Sequence, residues 1–219
     1  MNKLLVSLLL TVGLTGLAHA AGDAKAGEAK VAICSACHNP DGNSALPTFP
    51  KLAGQGEQYL LKQMQDIQSG KRPVLEMTGM LDMVTAGSST PEAKLQDLKD
   101  IAAYFASQKT SQGTADEALV ERGEALFRGG KLTEGMPACI GCHAPDGTGL
   151  DLAKYPRLAG QHSTYIAKQL TDFREGDRTN DGDAMTMRAV AAKLSNKDIQ
   201  ALSSYIQGLK PVTKADLVK

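Results

Sequence analysis

Apolar residues recur along the chain with the period of an α-helix, and no stretch alternates apolar and polar residues as a strand would. Two stretches share a spacing of four and then three positions: Leu60, Met64 and Ile67, and later Ile166, Leu170 and Phe173. Residues at this spacing lie on one face of a helix, where they can pack against a core. The pattern predicts an all-α protein in which similar amphipathic helices occur twice.

Two more helices are predicted from their start signals and apolar stripes. Thr90 is a candidate N-cap, and Pro91 after it suits the first helical position. Ser195 and Asp198 form a capping-box pattern at the start of the other helix. The apolar stripes of these helices are Leu95, Leu98, Ala102 and Phe105, and Ile199, Leu202, Ile206 and Leu209.

The first 20 residues have the pattern of a secretory signal peptide. Lys3 precedes an apolar run over residues 4–17, and Ala18-His19-Ala20 matches an A-x-A cleavage site. The run is short for a transmembrane helix. We expect cleavage before Ala21 and export to the periplasm, with an uncleaved membrane anchor as the alternative.

The rest of the chain contains two copies of one unit. The segment Pro-(Lys/Arg)-Leu-Ala-Gly-Gln occurs at residues 50–55 and again at 156–161. In the same order along each copy, Tyr59, Gln63 and Arg72 match Tyr165, Gln169 and Arg178. Repeats of this kind indicate a tandem duplication.

The copies are separated by a polar stretch that predicts a domain boundary. The predicted organisation is a signal peptide over residues 1–20, a first domain over 21–110, a linker over 111–115 and a second domain over 116–219. Spacings within the two copies differ, so we expect insertions in one copy relative to the other.

Each copy carries a Cys-x-x-Cys-His pentapeptide. The two read Cys34-Ser35-Ala36-Cys37-His38 and Cys139-Ile140-Gly141-Cys142-His143. This pattern attaches a c-type haem, because each thiol can add to one vinyl group of the porphyrin while the adjacent histidine binds the iron. The motifs predict two covalently bound haem c groups, one attached through Cys34 and Cys37 and the other through Cys139 and Cys142.

Three other uses of cysteine pairs fit the residues less well. A structural zinc site needs four ligands in a closed set, whereas each motif offers two cysteines and one histidine. A thioredoxin-like redox pair needs no following histidine and expects a βαβ context. Disulfides suit an exported protein, but all four cysteines and two of the four histidines fall into the two identical motifs. This accounting favours haem.

Composition and charge agree with a haem protein and argue against nucleic acid as a partner. Without the predicted signal peptide the chain has 199 residues (219 minus 20), with 23 basic (24 minus Lys3) and 24 acidic side chains. A formal net charge of −1 argues against a basic surface that would bind nucleic acid or anionic lipid. The chain has no tryptophan and few other aromatic residues, so a domain of about 90 residues lacks apolar bulk that a buried porphyrin would supply.

On these motifs the sequence resembles the class I cytochromes c, and its tandem arrangement closely resembles the dihaem cytochromes c4. The resemblance covers essentially the whole mature chain and includes the Tyr-x-x-Lys-Gln stretches and the run over residues 174–183. It implies two tandem all-α domains, each wrapped around one covalent haem, in an exported electron carrier rather than an enzyme. It also implies transfer from an upstream donor, such as a quinol-oxidising complex, toward a terminal oxidase through transient contacts.

The resemblance assigns the proximal iron ligands to His38 and His143. A ligating histidine usually donates its other ring N–H to a carbonyl, and in class I cytochromes c that carbonyl belongs to a proline about a dozen residues downstream. Pro50 and Pro156 lie 12 and 13 residues after the two histidines. Each proline is expected either in this role or as an ordinary turn residue.

A methionine as the sixth ligand makes a closed iron of raised potential, suited to electron transfer. The candidates are Met77, Met80 and Met83 in the first copy, and Met185 and Met187 in the second. The residues allow two alignments of these stretches. The resemblance favours Met77 and Met187, with Met80 and Met185 as the next choices. His162 has a glycine at its equivalent position in the first copy, so it is expected near a domain surface rather than on an iron.

Two further pairs of repeated residues have open roles. Gly27 and Gly123 are expected either to let the first helix of each domain cross its last helix closely or to mark a helix end. Arg72 and Arg178 are expected either to pair with haem propionates, because guanidinium suits carboxylate geometry, or to lie in solvent.

Two other functions stay open. A dihaem subunit of a multisubunit dehydrogenase, for example one that oxidises sulfide, can share the two-domain plan and would purify with a stoichiometric partner. A dihaem peroxidase needs one iron with an open or displaceable sixth position, whereas each copy here has a candidate methionine. Whether the protein stays free in the periplasm or rests peripherally on the membrane is also open.

Overall fold

A computed structural model describes residues 21–211, and this part of the chain is helical. Within it the helices are joined by loops that contain three 3-10 turns and two isolated antiparallel bridges, and no β-strand is formed. The prediction of an all-α fold is confirmed. In the same range no helix combines the length and apolar character needed to cross a membrane. The predicted signal peptide, residues 1–20, lies outside the described residues.

The helices of the first copy are α1 (Ala24–Glu28), α2 (Ser35–His38), α3 (Glu57–Gln68), α4 (Met80–Val84) and α5 (Pro91–Ser107). The start of α5 agrees with the prediction, because Thr90 Oγ1 accepts a hydrogen bond from the Ala93 N–H at 3.1 Å. The core of the first domain contains Val31, Leu60, Ile101, Ala102 and Phe105. These residues come from the loop after α1 and from α3 and α5, so the amphipathic faces close on one another.

The helices of the second copy are α6 (Glu117–Gly129), α7 (Ile140–His143), α8 (Ser163–Glu175), α9 (Thr186–Ala191) and α10 (Asn196–Gly208). The predicted capping box at the start of α10 is present, with Ser195 and Asp198 bonded to each other's backbone N–H. An insertion separates α6 from α7, closed by a bridge between Lys131 and Met136. Met136 is 1% exposed, so this insertion contributes to the core of the second domain.

The first and last helices of each domain cross closely at a glycine. This is one of the two roles expected for Gly27 and Gly123. A Cβ atom on Gly123 would lie 2.5 Å from the Ala201 carbonyl oxygen and 2.5 Å from the Tyr205 Cβ. At Gly27 a Cβ would collide with the Asp100 carbonyl oxygen of α5. Both crossings therefore require a residue without a side chain.

The domains dock through the repeated Pro-(Lys/Arg)-Leu-Ala-Gly-Gln segments. Gln161 Nε2 donates to the Lys51 carbonyl, and the Lys51 N–H donates to Gln161 Oε1, both at 2.9 Å. In the mirror arrangement Gln55 Nε2 donates to the Arg157 carbonyl at 2.9 Å, and the Arg157 N–H donates to Gln55 Oε1 at 2.7 Å. The same patch of each copy faces the other, which is the pattern of a pseudo-twofold interface.

Candidate haem sites

Each Cys-x-x-Cys-His motif folds into a single helical turn. The His38 N–H donates to the Cys34 carbonyl at 2.9 Å, and the His143 N–H donates to the Cys139 carbonyl at 2.9 Å. One turn of helix brings residues three and four positions apart to the same side. Both cysteines of a motif and its histidine are therefore presented together.

The two histidines are buried and each is held by a proline carbonyl. His38 Nδ1 lies 2.9 Å from the Pro50 carbonyl oxygen, and His143 Nδ1 lies 2.9 Å from the Pro156 carbonyl oxygen. Because a carbonyl only accepts, Nδ1 carries the proton and Nε2 is the nitrogen that can bind a metal. Burial lowers the pKa of both imidazoles, and the bonds to the proline carbonyls oppose that shift only in part. Both rings are thus neutral at pH 7, the form that ligates iron.

The cysteine side chains have the chemistry needed for attachment. All four sulfurs are free thiols. Burial raises the pKa of Cys34, and it raises the pKa of Cys139 to about 11. The donor set of four thiols and two neutral imidazoles, arranged in two motifs, fits two covalent haem c groups. Between residues 21 and 211 no group of three or more His, Cys, Asp or Glu side chains is placed so that it could hold a metal ion.

Apolar side chains surround both motifs. Cys34 packs with Leu52 and Met64 against the core of the first domain. Cys139 packs with Leu158 and Leu170 against the core of the second domain. A porphyrin attached at either motif would therefore extend the apolar core of its own domain.

The candidate methionines differ in exposure. Met77 ends the 3-10 turn Leu75–Met77, Met187 lies in α9, and both are half-buried. Met80, at the start of α4, is also half-buried. Met83 is 61% exposed, and Met185 is 50% exposed with a left-handed φ of 48°. In the first domain Met77 and Met80 are both half-buried, so their exposure does not choose between them. In the second domain Met187 is less exposed than Met185.

Three polar side chains take positions between the domains. His162 Nε2 lies 2.9 Å from the Ser44 carbonyl oxygen, so this histidine is near a domain surface, as expected, but contacts the other domain. Arg72 and Arg178 are only 8% and 7% exposed. The expectation that the two arginines lie in solvent is wrong, because docking of the domains covers both.

Sequence reasoning assigned no role to several residues that join the domains: Gln55, Tyr59, Gln63, Gln161, Tyr165 and Gln169. The available signal was their identity in the two copies. Tyr59, Gln63, Tyr165 and Gln169 lie on α3 or α8 beside an apolar stripe, and Gln55 and Gln161 lie just before these helices. Polar residues repeated at such positions indicate a second packed surface.

A neutral histidine held by a carbonyl, directly after two free thiols on a small helical domain, is the arrangement of a c-type cytochrome, and this chain contains it twice. The family model for cytochrome c matches residues 24–109 and 120–210. The chain is 70% identical over 209 residues to cytochrome c4 of Pseudomonas aeruginosa, which covers 95% of this chain and 100% of that protein. The chain belongs to the cytochrome c4 family.

Solved structures and a more distant relative agree with this placement. The crystal structure of reduced recombinant cytochrome c4 from Pseudomonas stutzeri matches with a TM-score of 0.80 and 67% identity, covering 86% of this chain and 100% of that one. The chain is also 31% identical over 192 residues to a protein of Thiomonas intermedia named thiosulfate dehydrogenase electron acceptor, covering 85% of this chain and 83% of that protein. This protein is therefore a dihaem electron-transfer protein with two tandem cytochrome c domains and two covalent haem c groups.

Proposed function

We propose that this protein is a periplasmic electron carrier whose two irons each have one histidine and one methionine ligand, and that it is not an enzyme. The observation that carries the proposal is the pair of 2.9 Å contacts from His38 and His143 to their proline carbonyls. Each contact places the proton on Nδ1 and leaves Nε2 available to bind an iron, and it would strengthen the histidine as a ligand.

The proposed site residues fall into one set for each domain. The first haem would be held by Cys34 and Cys37, its iron would be bound by His38 and Met77, and the Pro50 carbonyl would hold the histidine. The second haem uses the corresponding residues Cys139, Cys142, His143, Met187 and Pro156. When bound, the haem supplies a one-electron couple at its iron.

The chain's own residues have three tasks in this function. The thiols fix the porphyrin, and the proline carbonyls hold the protonated Nδ1 of each histidine. The apolar cores exclude water from the site, which favours the less charged, reduced form and raises the potential. A methionine in each domain closes the sixth position, so that neither peroxide nor another small ligand reaches the iron.

We propose export and processing as the sequence indicates. Cleavage before Ala21 would leave a first domain over residues 21–110, a linker over 111–115 and a second domain over 116–219. In support, α5 ends at Ser107 and α6 begins at Glu117, so the proposed linker lies between two helices.

The proposed donor is an upstream quinol-oxidising complex, and the proposed acceptor is a terminal oxidase. Contacts with both would be transient, as redox encounters usually are. A second candidate role is that of the acceptor for a dehydrogenase, which is supported by the similarity to the thiosulfate dehydrogenase electron acceptor. A dehydrogenase that co-purifies with the native protein would favour the second role, and a free monomer reduced by a quinol-oxidising membrane fraction would favour the first.

The test is the optical spectrum of the mature protein, combined with haem stoichiometry from the pyridine haemochrome. Two haems per chain, with the weak far-red band of methionine-to-iron ligation at full strength in the oxidised form, are expected. A half-strength band together with a high-spin signal would contradict the carrier proposal and favour peroxide chemistry.

A further inference from the structure

One histidine is left over once the two haem motifs are assigned. Of the four histidines in the chain, His19 lies in the predicted signal peptide, and His38 and His143 each follow a cysteine pair. The fourth, His162, is half-buried at the N-cap of α8 in the second domain. The ordinary pKa of an imidazole is about 6.5, so a histidine that is not an iron ligand can change its charge close to neutral pH.

The imidazole of His162 contacts the first domain. Its Nε2 lies 2.9 Å from the Ser44 carbonyl oxygen and 3.0 Å from Ser44 Oγ. Because a carbonyl oxygen only accepts, Nε2 carries the proton and donates it, and Nδ1 has the lone pair that takes up a proton in acid. Ser44 is buried, so a charge that forms on His162 acts on the first domain with less screening than a charge in solvent.

Ser44 belongs to the loop that holds the proximal histidine of the first domain. Ser44 Oγ donates to the Phe49 carbonyl at 2.7 Å. The Phe49 ring lies edge-on to the His38 imidazole, with the ring centroids 6.2 Å apart. The next residue is Pro50, whose carbonyl holds His38 Nδ1. A short series of contacts thus leads from His162 to the imidazole that would bind the first iron.

The second domain has a different contact at the equivalent place. The N-cap of α3 is Gly56, which has no side chain to bind across the interface. Instead, the Gln58 N–H donates to Asp151 Oδ1 of the second domain at 2.8 Å. The ordinary pKa of a carboxyl group is about 4, far from that of an imidazole. Among the described residues, only the first haem site is therefore linked to a histidine of the other domain.

The surroundings of His162 oppose its protonation. Burial lowers the pKa of His162, the bond to the Ser44 carbonyl opposes this shift, and the positive charge of Lys51 adds to it. The N-terminus of α8 is also the positive end of the helix dipole. The imidazolium therefore forms only as the pH falls below the ordinary pKa of histidine.

The other groups packed around His162 are neutral or already bonded. Lys51 is buried, burial lowers its pKa, and its Nζ donates to the Ser111 and Gly160 carbonyls at 2.9 Å. The loop over residues 43–49 has no ionisable side chain. On α8 itself the Tyr165 hydroxyl accepts from Arg72. From α10, the neutral amide of Gln207 accepts from the backbone N–H that follows His162.

We infer that His162 acts through Ser44 as a positioning residue for the first haem, and that its protonation raises the potential of the first iron more than that of the second. The electron comes from the donor of the proposed function and reduces the iron from ferric to ferrous, while solvent supplies the proton that His162 Nδ1 binds. A positive charge near an iron favours the ferrous state, because that state has one positive charge fewer. The inference rests on the proposed function, since it needs a haem in each domain.

The experiment measures both midpoint potentials of the mature holoprotein from about pH 5 to about pH 8, with each potential assigned to its domain by NMR. In the unaltered protein the first potential should rise as the pH falls, by on the order of a threefold change in the ratio of reduced to oxidised haem. The second potential should change less. His162→Gln keeps an N–H donor close to the position of Nε2 but does not titrate, so it should hold the first potential near its alkaline value throughout.

Ser44→Ala tests the route from His162 to the proximal loop. The variant removes the hydroxyl that bonds the Phe49 carbonyl and keeps the backbone carbonyl that binds His162, so the pH-dependent step of the first potential should become smaller. Thr48→Ala is the matched control, because it removes an exposed hydroxyl from the same loop and should keep the full step. Equal steps in Ser44→Ala and Thr48→Ala would overturn the role of Ser44.

The ring protons of His162 give a second measurement that needs no substitution. Because linkage is reciprocal, the pKa read from their chemical shifts should be higher in the reduced protein than in the oxidised protein. Equal pKa values in the two states would overturn the inference. So would a step that persists in His162→Gln, or a step that is as large at the second haem. Two haems per chain and a full far-red band in every variant separate failure of this inference from failure of the proposed function.

Discussion

The side-chain amide of Gln161 binds both backbone groups of Lys51 across the domain interface. Gln161 donates to the Lys51 carbonyl and accepts from the Lys51 N–H, both at 2.9 Å. Gln161 is 6% exposed and Lys51 is 7% exposed, so water cannot replace these bonds if the amide is removed.

Replacing this amide should therefore weaken docking of the domains. We expect Gln161→Ala to lower the free energy of unfolding by about 2–4 kcal/mol, because three bonds are lost: those to the two backbone groups of Lys51 and the one from the His162 N–H. Urea unfolding of the holoprotein measures this, and Gln200→Ala, at an exposed position on α10, is the control. Equal midpoints for the two variants would show that the amide does not hold the domains together.

The glycine at the crossing of α6 and α10 should not tolerate a side chain. A Cβ on Gly123 meets the Ala201 carbonyl oxygen at 2.5 Å, and backbone cannot move aside cheaply. We expect Gly123→Ala to destabilise the second domain by about 1–3 kcal/mol.

Gly129 in the same helix supplies the control for this prediction. Nothing lies within 4 Å of a Cβ built there, so Gly129→Ala should be neutral or stabilise the helix by up to about 1 kcal/mol. Thermal unfolding of both variants gives the comparison. A Gly123→Ala protein as stable as Gly129→Ala would mean that the helices separate without loss.

The carboxylate of Asp198 should make the second domain sensitive to acid. Burial raises its pKa, but hydrogen bonds from Ser195 and the contact with Arg122 outweigh burial and hold the pKa at about 2. The pKa of an aspartate in an unfolded chain is about 3.9. The carboxylate therefore contributes its full stability above about pH 4 and loses it as the pH falls toward about 2.

Asp198→Asn should then lower the free energy of unfolding by about 2 kcal/mol at pH 7. The difference in stability between the variant and the unaltered protein should vanish at about pH 2. Urea unfolding at several pH values measures this dependence. Asp177→Asn, at an exposed position, should change little at any pH. A difference for Asp198→Asn that stays constant down to pH 2 would assign its effect to packing instead of charge.

The proposed methionine ligands can be tested by substitution in each domain. Met187 is half-buried in α9, whereas Met185 is 50% exposed. We expect Met187→Ala to remove half of the far-red band and Met185→Ala to leave it intact. Met77→Ala should remove the other half, with Met83→Ala as its exposed control. Loss of the band in Met185→Ala alone would transfer the ligand role to that residue.

Local sequence signals predicted the helix starts well. The cap at Thr90 and the capping box at Ser195 both form as expected. A cap depends on a side chain and a backbone N–H within three residues of each other, so the information is complete in a short window. The place of Arg72 could not be read in this way, because a long charged side chain on a repeated segment suits a solvent position and an interface equally well.

The duplication, the all-α domains and the two haem c attachments follow from the order of residues in the chain, because each depends on residue order or on contacts within one helical turn. Which repeated polar residues lie between the domains is visible only once both domains are folded and docked. Arg72 and Tyr165 are 93 positions apart, and Tyr59 and Arg178 are 119 apart. Such contacts exist only after each domain has folded and one surface has been fitted to the other, and that shape is set by the packing of the whole chain.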